Sequence, residues 1–215
     1  MELLLKSRNH KTYQYKLEKL GMPGYRLIAG VILWSTSVVC GFWIIALYEN
    51  EPAKAQTGMV VWPEGVNLPV IPSKMPLLLF IHPKCPCTRA TLSELDRLLP
   101  DISSRVSPIL ISYEPSDPAL AVEWRNTINV RYFDQTPGVQ KVFDKRGDLA
   151  RKFGVSASGA LLLFDTDGKL LFQGGITSSR GHEGANPIQD SLVDLIRDGS
   201  GSPVIAPVFG CSLFE

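Results

Sequence analysis

Leu77-Leu78-Leu79-Phe80-Ile81-His82-Pro83-Lys84-Cys85-Pro86-Cys87-Thr88 decides how the rest of this chain is read. The unbroken apolar run 77–81 suits a strand buried on both faces. From Thr88 onward, Leu92, Leu95, Leu98 and Leu99 fall at helical spacing, which predicts a helix over 88–99 that stops at Pro100. Two thiols therefore stand at a strand-to-helix junction. A helix N-terminus carries about half a unit of positive charge and free N–H donors, and both favour thiolate over thiol. Proline at the first helical position forfeits no hydrogen bond. The expectation puts Cys85 near the cap and Cys87 one step inside, as a redox or metal site.

Cα atoms two residues apart lie about 5.5–7 Å from each other, the upper part of the range a disulfide tolerates. A strained bridge is the more easily reduced, so a Cys85–Cys87 pair is expected to be oxidising. Cys85 is the expected nucleophile, Cys87 the resolving thiol, and Lys84 a charge that lowers a thiol pKa. His82 precedes the pair by three residues and is read as a hydrogen-bonded strand-end residue, with proton shuttling or metal ligation as its functional role. His182, with Arg180 and Glu183 beside it, lies in a glycine-rich stretch over 174–184 that is expected to line the site. The four cysteines are completed by Cys40, an apolar filler, and Cys211, in a tail over 199–215. The linker Gly199-Ser200-Gly201-Ser202-Pro203 lets 204–214 fold back. Where the tail reaches the triplet, Cys211 is expected either to resolve Cys85 or to add a third thiolate, and otherwise it is a lone thiol. Soft thiolates with imidazole suit Cu(I) or Zn(II), although the spacing fits no standard zinc motif.

Strands are also expected over 106–113, 160–164 and 169–172, the last two joined by the turn Asp165-Thr166-Asp167-Gly168. Helices are expected over 118–126, 139–153 and 186–197. Two strand–helix units and then a hairpin imply an α/β fold with a mixed central sheet flanked by helices, over 76–198. Residues 49–75, with Pro52, Pro63, Pro69 and Pro72, read as a tether, within which Met59-Val60-Val61-Trp62 adds an edge strand.

Residues 27–48 contain no charged side chain, and about 20 apolar residues are what a helix needs to cross a membrane. Tyr25, Trp43 and Tyr48 stand near the ends, where interfacial aromatics sit. The basic segment 1–26 holds Lys6, Arg8, Lys11, Lys16, Lys19 and Arg26, whereas Glu49 and Glu51 follow the span. The positive-inside rule then leaves the N-terminus cytoplasmic and exports the rest as a single-pass protein, periplasmic in a Gram-negative-type cell. Ala53-Lys54-Ala55 resembles a signal-peptide cleavage site, but the apolar core is longer than the usual leader. An exported domain meets an oxidising compartment. Net charge is +1 over 215 residues, with no basic patch past the first segment, which excludes nucleic acid as a partner. P-loop, dinucleotide and nucleophile-elbow motifs are absent.

This order of elements, with cysteines after the first core strand, resembles the thioredoxin superfamily. Residues 78–87 resemble its strand ending in the cysteine motif. Phe153-Gly154-Val155-Ser156-Ala157-Ser158-Gly159-Ala160 resembles the segment carrying its cis-proline loop. Asp165-Thr166-Asp167-Gly168-Lys169 resembles the hairpin of the membrane-tethered TlpA/ResA-like branch. The triplet with Gly174-Gly175-Ile176-Thr177, Arg180-Gly181-His182 and Phe209-Gly210-Cys211 is most similar to the RedB-like group. The resemblance implies a thiol–disulfide oxidoreductase acting on protein thiols or disulfides without a cofactor. Two positions depart from the pattern: Lys84 falls at the family's nucleophilic position, and Gly159 stands where the proline docks substrate and keeps metals away. The alternative is therefore a copper- or zinc-binding module for metalloprotein assembly, and a scaffold without chemistry is the third reading.

Overall fold

A computed structural model describes residues 24–53 and 61–214 of the chain. The chain divides after Tyr48 into two units. In the first, α1 (Gly24–Glu49) is a 26-residue helix long and apolar enough to cross a membrane, with no buried residue. At 1.5 Å per residue it is about 39 Å long, against a hydrocarbon core of about 30 Å. Most of the basic segment, and Ala55 with its neighbours 54–60, lie outside the described residues.

The second unit runs β1 (Met75–Ile81), α2 (Thr88–Ile102), β2 (Val106–Glu114), α3 (Pro118–Arg125), α4 (Ile128–Arg131), β3 (Gln140–Lys145), α5 (Asp148–Lys152), β4 (Ala160–Phe164), β5 (Leu170–Gly174), α6 (Pro187–Asp198) and β6 (Val204–Ile205). These strands form one mixed sheet in the order β3-β2-β1-β4-β5-β6. Central β1 pairs parallel with β2 and antiparallel with β4. The pleat sends alternate β1 side chains to opposite faces. Leu77, Leu79 and Ile81 pack with Leu92, Leu95, Leu192 and Ile196 from α2 and α6. Leu78 and Phe80 pack on the other face with Leu162, Phe153 and Phe164. Cover on both faces is the reason β1 has no polar alternation.

Four details differ from the sequence reading. Residues 139–153 are not one helix but the edge strand β3 and the short helix α5. Gln140 to Lys145 pair in parallel register with Ile109 to Glu114. The chain then turns at Arg146 (φ 56°) and Gly147 (φ 74°). The Asp144 carboxylate accepts N–H bonds from Leu149 at 2.7 Å and Ala150 at 2.9 Å, which starts α5 at once.

The second difference lies in α2, which continues past Pro100 to Ile102 and begins at Thr88, with Cys87 as its cap residue. Pro86 thus precedes the helix, and Cys85 stands two positions before its cap. The third is the supposed tether. Trp62 sits edge-on to Phe153 and Phe164 at 5.2 Å each, and Leu68 is buried with the same cluster. Val61 bridges Lys169, whereas Met59 and Val60 lie outside the described residues. The fourth is β6, a strand that the tail adds alongside β5 before it folds back to the cysteines.

Replacing Asp144 with Ala strands the buried Ala150 N–H and the half-buried Leu149 N–H and is expected to cost about 1–3 kcal/mol. Asp144→Asn, which keeps an acceptor, loses less. Denaturant unfolding of the full chain in detergent measures both, and an unchanged midpoint for Asp144→Ala would show that this cap contributes nothing.

Candidate functional site

The turn after β1 is set by main-chain bonds before any side chain acts. Cys85 N–H donates to His82 O at 3.1 Å, and Arg89 N–H to Pro86 O at 3.3 Å. From α4, buried Asn129 donates Nδ2 hydrogens to Pro83 O at 3.1 Å and Cys85 O at 2.9 Å. That clamp fixes the carbonyls around the first cysteine and points its side chain inward. Cys85 is 2% exposed.

The returning tail pairs antiparallel with the segment before β4. Ser158 N–H donates to Cys211 O at 2.8 Å and Leu213 N–H to Ser156 O at 2.9 Å, with Ala157 opposite Ser212. Cys211 is thereby brought to the triplet. The Sγ atoms of Cys85, Cys87 and Cys211 lie within 4.8 Å of one another, and all are free thiols.

The three thiols differ in acidity. Burial pushes the Cys85 pKa up, but hydrogen bonds from the Thr88 side chain, the Cys211 side chain and the N–H groups of Cys211 and Thr88 outweigh it, so the net shift is downward. Cys87 is raised by burial and by the negative charge of Cys85, against the charge and hydrogen bond of Arg180. Cys211 is pushed up to about 12 by burial, by the hydrogen bond it gives Cys85, and by the charges of Cys85 and Cys87. The arrangement sets the most acidic of the three thiols, Cys85, against two that are harder to ionise.

Arg180 also donates to Gly210 O at 2.8 Å, so the same guanidinium serves Cys87 and the tail. Its loop is anchored through Glu94, 2% exposed on α2, which accepts from Gly184 N at 2.5 Å and Gln189 Nε2 at 2.9 Å. Gly159 adopts φ 88°, and a Cβ there would stand 3.0 Å from Thr91 Oγ1. Its N–H donates to Phe80 O at 2.8 Å, which holds the loop against the end of β1.

The structure brings together Cys85, Cys87, Cys211 and Arg180, and places Gly159 beside them. Lys84 is directed elsewhere: its Nζ pairs with Glu123 at 2.9 Å and lies 4.9 Å from the Trp124 ring centroid. His82 stacks on Tyr113 at 5.6 Å, and its Nδ1 accepts from Lys84 N at 3.2 Å. His182 is exposed and gives its N–H to Ser179 O at 3.4 Å. Among the described residues, neither histidine joins the sulfur cluster. Sequence reasoning missed Thr88, Asn129 and Ser158. The available signal was a hydroxyl residue directly after the triplet, at the start of a helix.

No protein-family model matches the chain, and no curated protein does. Among solved structures, a hypothetical protein from Sinorhizobium meliloti 1021 superposes with TM-score 0.57 at 17% identity, over 74% of this chain and 96% of that one. An uncharacterized conserved protein from Geobacillus kaustophilus gives TM-score 0.54 at 19% identity, over 77% and 93%. The pneumococcal exposed lipoprotein thioredoxin from Streptococcus pneumoniae strain TIGR4 gives 0.41 at 16%, over 59% and 85%. The fold is thioredoxin-like. At these identities the two stronger likenesses show a shared fold alone.

Removing a donor to a thiolate raises its pKa. Thr88→Val is therefore expected to move the thiolate titration of the reduced protein, followed by ultraviolet absorbance, to higher pH. Thr88→Ser should restore it. An unmoved titration in Thr88→Val would remove Thr88 from the account of Cys85.

Proposed function

We propose that this protein is a membrane-tethered, extracytoplasmic thiol–disulfide oxidoreductase of thioredoxin-like fold that acts on protein thiols and disulfides. The observation that carries the reading is geometric: buried Cys85 lies just before the α2 cap, within 4.8 Å of the Cys87 and Cys211 sulfurs and with Thr88 and Cys211 donating to it. This environment lowers its pKa while those of Cys87 and Cys211 are raised. Reactive cysteines occupy such donor-rich sites, whereas structural buried cysteines do not.

In the proposed exchange, Cys85 thiolate attacks one sulfur of a partner disulfide. That S–S bond breaks, a Cys85–partner bond forms, and the departing thiolate takes a proton from solvent. Cys87 then attacks the Cys85 sulfur, its proton passes to the second partner thiolate, and a Cys85–Cys87 bond remains. Two electrons have moved from the protein's dithiol to the partner. The reverse sequence, begun from the bridged state, oxidises a dithiol.

The tether reading is supported by α1, by the basic residues before it and by Glu49 and Glu51 after it. The RedB-like assignment within the TlpA/ResA-like branch is supported by the triplet and by the glycine-rich and Phe209-Gly210-Cys211 stretches.

A second reading has its own observation, the three converging sulfurs. Three soft donors without a nearby imidazole fit trigonal Cu(I) better than zinc, whose structural sites take four ligands. Cys85, Cys87 and Cys211 would hold the ion, and the Arg180 charge beside Cys87 offsets their negative charge. The role would be metal transfer in metalloprotein assembly.

One preparation separates the readings: the reduced full chain in detergent, given a glutathionylated test peptide in one arm and Cu(I) in the other. Cys85→Ser is expected to abolish deglutathionylation, while Cys87→Ser accumulates the Cys85 mixed disulfide. Stoichiometric copper lost equally from each of the three Cys→Ser variants, with no exchange by the wild-type chain, would reverse the assignment.

A further inference from the structure

We propose that the segment 210–213 occupies the groove meant for substrate, and that the substrate is an extended protein segment of the pattern Gly-Cys-x-Leu, which must displace the tail to reach Cys85. The inference rests on the oxidoreductase reading above.

The first argument is access. A thiolate attacks a disulfide only by direct sulfur contact. Cys85 is 2% exposed, and its cover includes Cys211, which gives it both a thiol proton and an N–H. No partner sulfur reaches Cys85 while the tail is seated.

The second argument is what holds the tail. Its bonds to Ser156 and Ser158 are main-chain to main-chain, and Arg180 grips a carbonyl, that of Gly210. Such strand addition is indifferent to sequence, so any extended chain can make the same bonds, while the flanking pockets select side chains. At Gly210 an added Cβ would overlap the Ser158 carbonyl oxygen, so this position admits no side chain without a shift of the backbone. At the next position a cysteine meets Cys85. Ser212 is exposed, and among the described residues its hydroxyl bonds within the tail, to Phe214. Leu213 is 1% exposed in the cluster with Val155 and Ala157, so the position after the free one takes an apolar side chain.

The third argument is that the segment can leave alone. Ala206 N–H bonds Gln173 O, Gly175 N–H bonds Pro207 O, and Ala53 N–H bonds Val208 O. All these attachments precede residue 209. β6 therefore stays on the sheet when 210–214 swings away, and the tail remains close enough to return.

The test uses the reduced full chain in detergent, the variant Gly210→Val, and a chain ending at Phe209, with circular dichroism as the control for folding. The readout is the iodoacetamide alkylation rate of Cys85, assigned by peptide mass analysis. Both variants are expected to alkylate at least about tenfold faster than wild type, the ratio of a locally opened to a closed site. The second arm offers the shortened chain a peptide copying residues 207–214 as its glutathione mixed disulfide. Versions with Gly→Val at the position before cysteine, or Leu→Asp two after it, should react several-fold more slowly. Equal alkylation in all three proteins, or equal reaction of the three peptides, overturns the proposal. A Cys85 that exchanges with glutathione disulfide equally fast with and without the tail overturns this inference alone. A Cys85 that alkylates readily in the shortened chain yet exchanges with no disulfide overturns the oxidoreductase reading and the substrate claim with it.

Discussion

Ser158 is where three separate pieces of the site are fastened to each other. Its N–H donates to Cys211 O at 2.8 Å, and its hydroxyl lies 2.7 Å from His82 N and 2.5 Å from Thr88 Oγ1. The end of β1, the first turn of α2 and the tail therefore meet on one buried residue. Proton counting gives this junction a direction. The Ser158 oxygen accepts from His82 N–H, and Thr88 has one hydroxyl proton, which it gives to the Cys85 thiolate. Ser158 must then donate to Thr88. The resulting chain, Ser158 to Thr88 to Cys85, is polarised toward the sulfur, and bonds in series reinforce one another.

The tail makes the same sulfur both harder and easier to ionise. Covering Cys85 removes water, which is the largest effect on its pKa and an upward one. Yet the covering segment brings an N–H and a thiol donor, and with the Thr88 donors these reverse the sign. A loose or apolar lid would bury the thiol and leave it protonated. The identity of the cover, and not the mere fact of burial, therefore decides which way the acidity of Cys85 moves.

The elements that were legible in the sequence are those whose signal is hydrophobic period. β1 is apolar throughout because both its faces are covered, and α2 carries its leucines on one side. β3 misled because it is an edge strand, half-buried, whose Gln140-Lys141-Val142-Phe143-Asp144-Lys145 mixes polar and apolar types as an amphipathic helix does. The hairpin at Asp165 was readable because its carboxylate accepts from Asp167 N and Lys169 N, a turn chemistry written in residue types. That the tail could fold back was readable from its linker, but where it seats was not, since main-chain bonds hold it and its most constrained position is a glycine. Lys84 was placed correctly along the chain but not around it, since a charged neighbour drew it to Glu123, away from the sulfurs. His82 takes the hydrogen-bonded strand-end role, bonded to Ser158 and Lys84 and stacked on Tyr113.

The sulfur cluster also bears on which thiol acts second. A partner seated along Ser156 and Ser158 takes the place of Cys211, whereas Cys87 stays at the cap of α2 with Arg180 against it. At rest Cys87 is kept protonated by burial and by the thiolate of Cys85. Once Cys85 is tied up in a mixed disulfide, that negative charge is gone, and its sulfur no longer accepts the Cys87 hydrogen bond as a thiolate does. The Arg180 charge and its hydrogen bond remain, and both favour ionisation. The pKa of Cys87 must therefore fall when the first step is complete. The loss of one charge arms the second thiol, and the order of the two attacks follows from electrostatics.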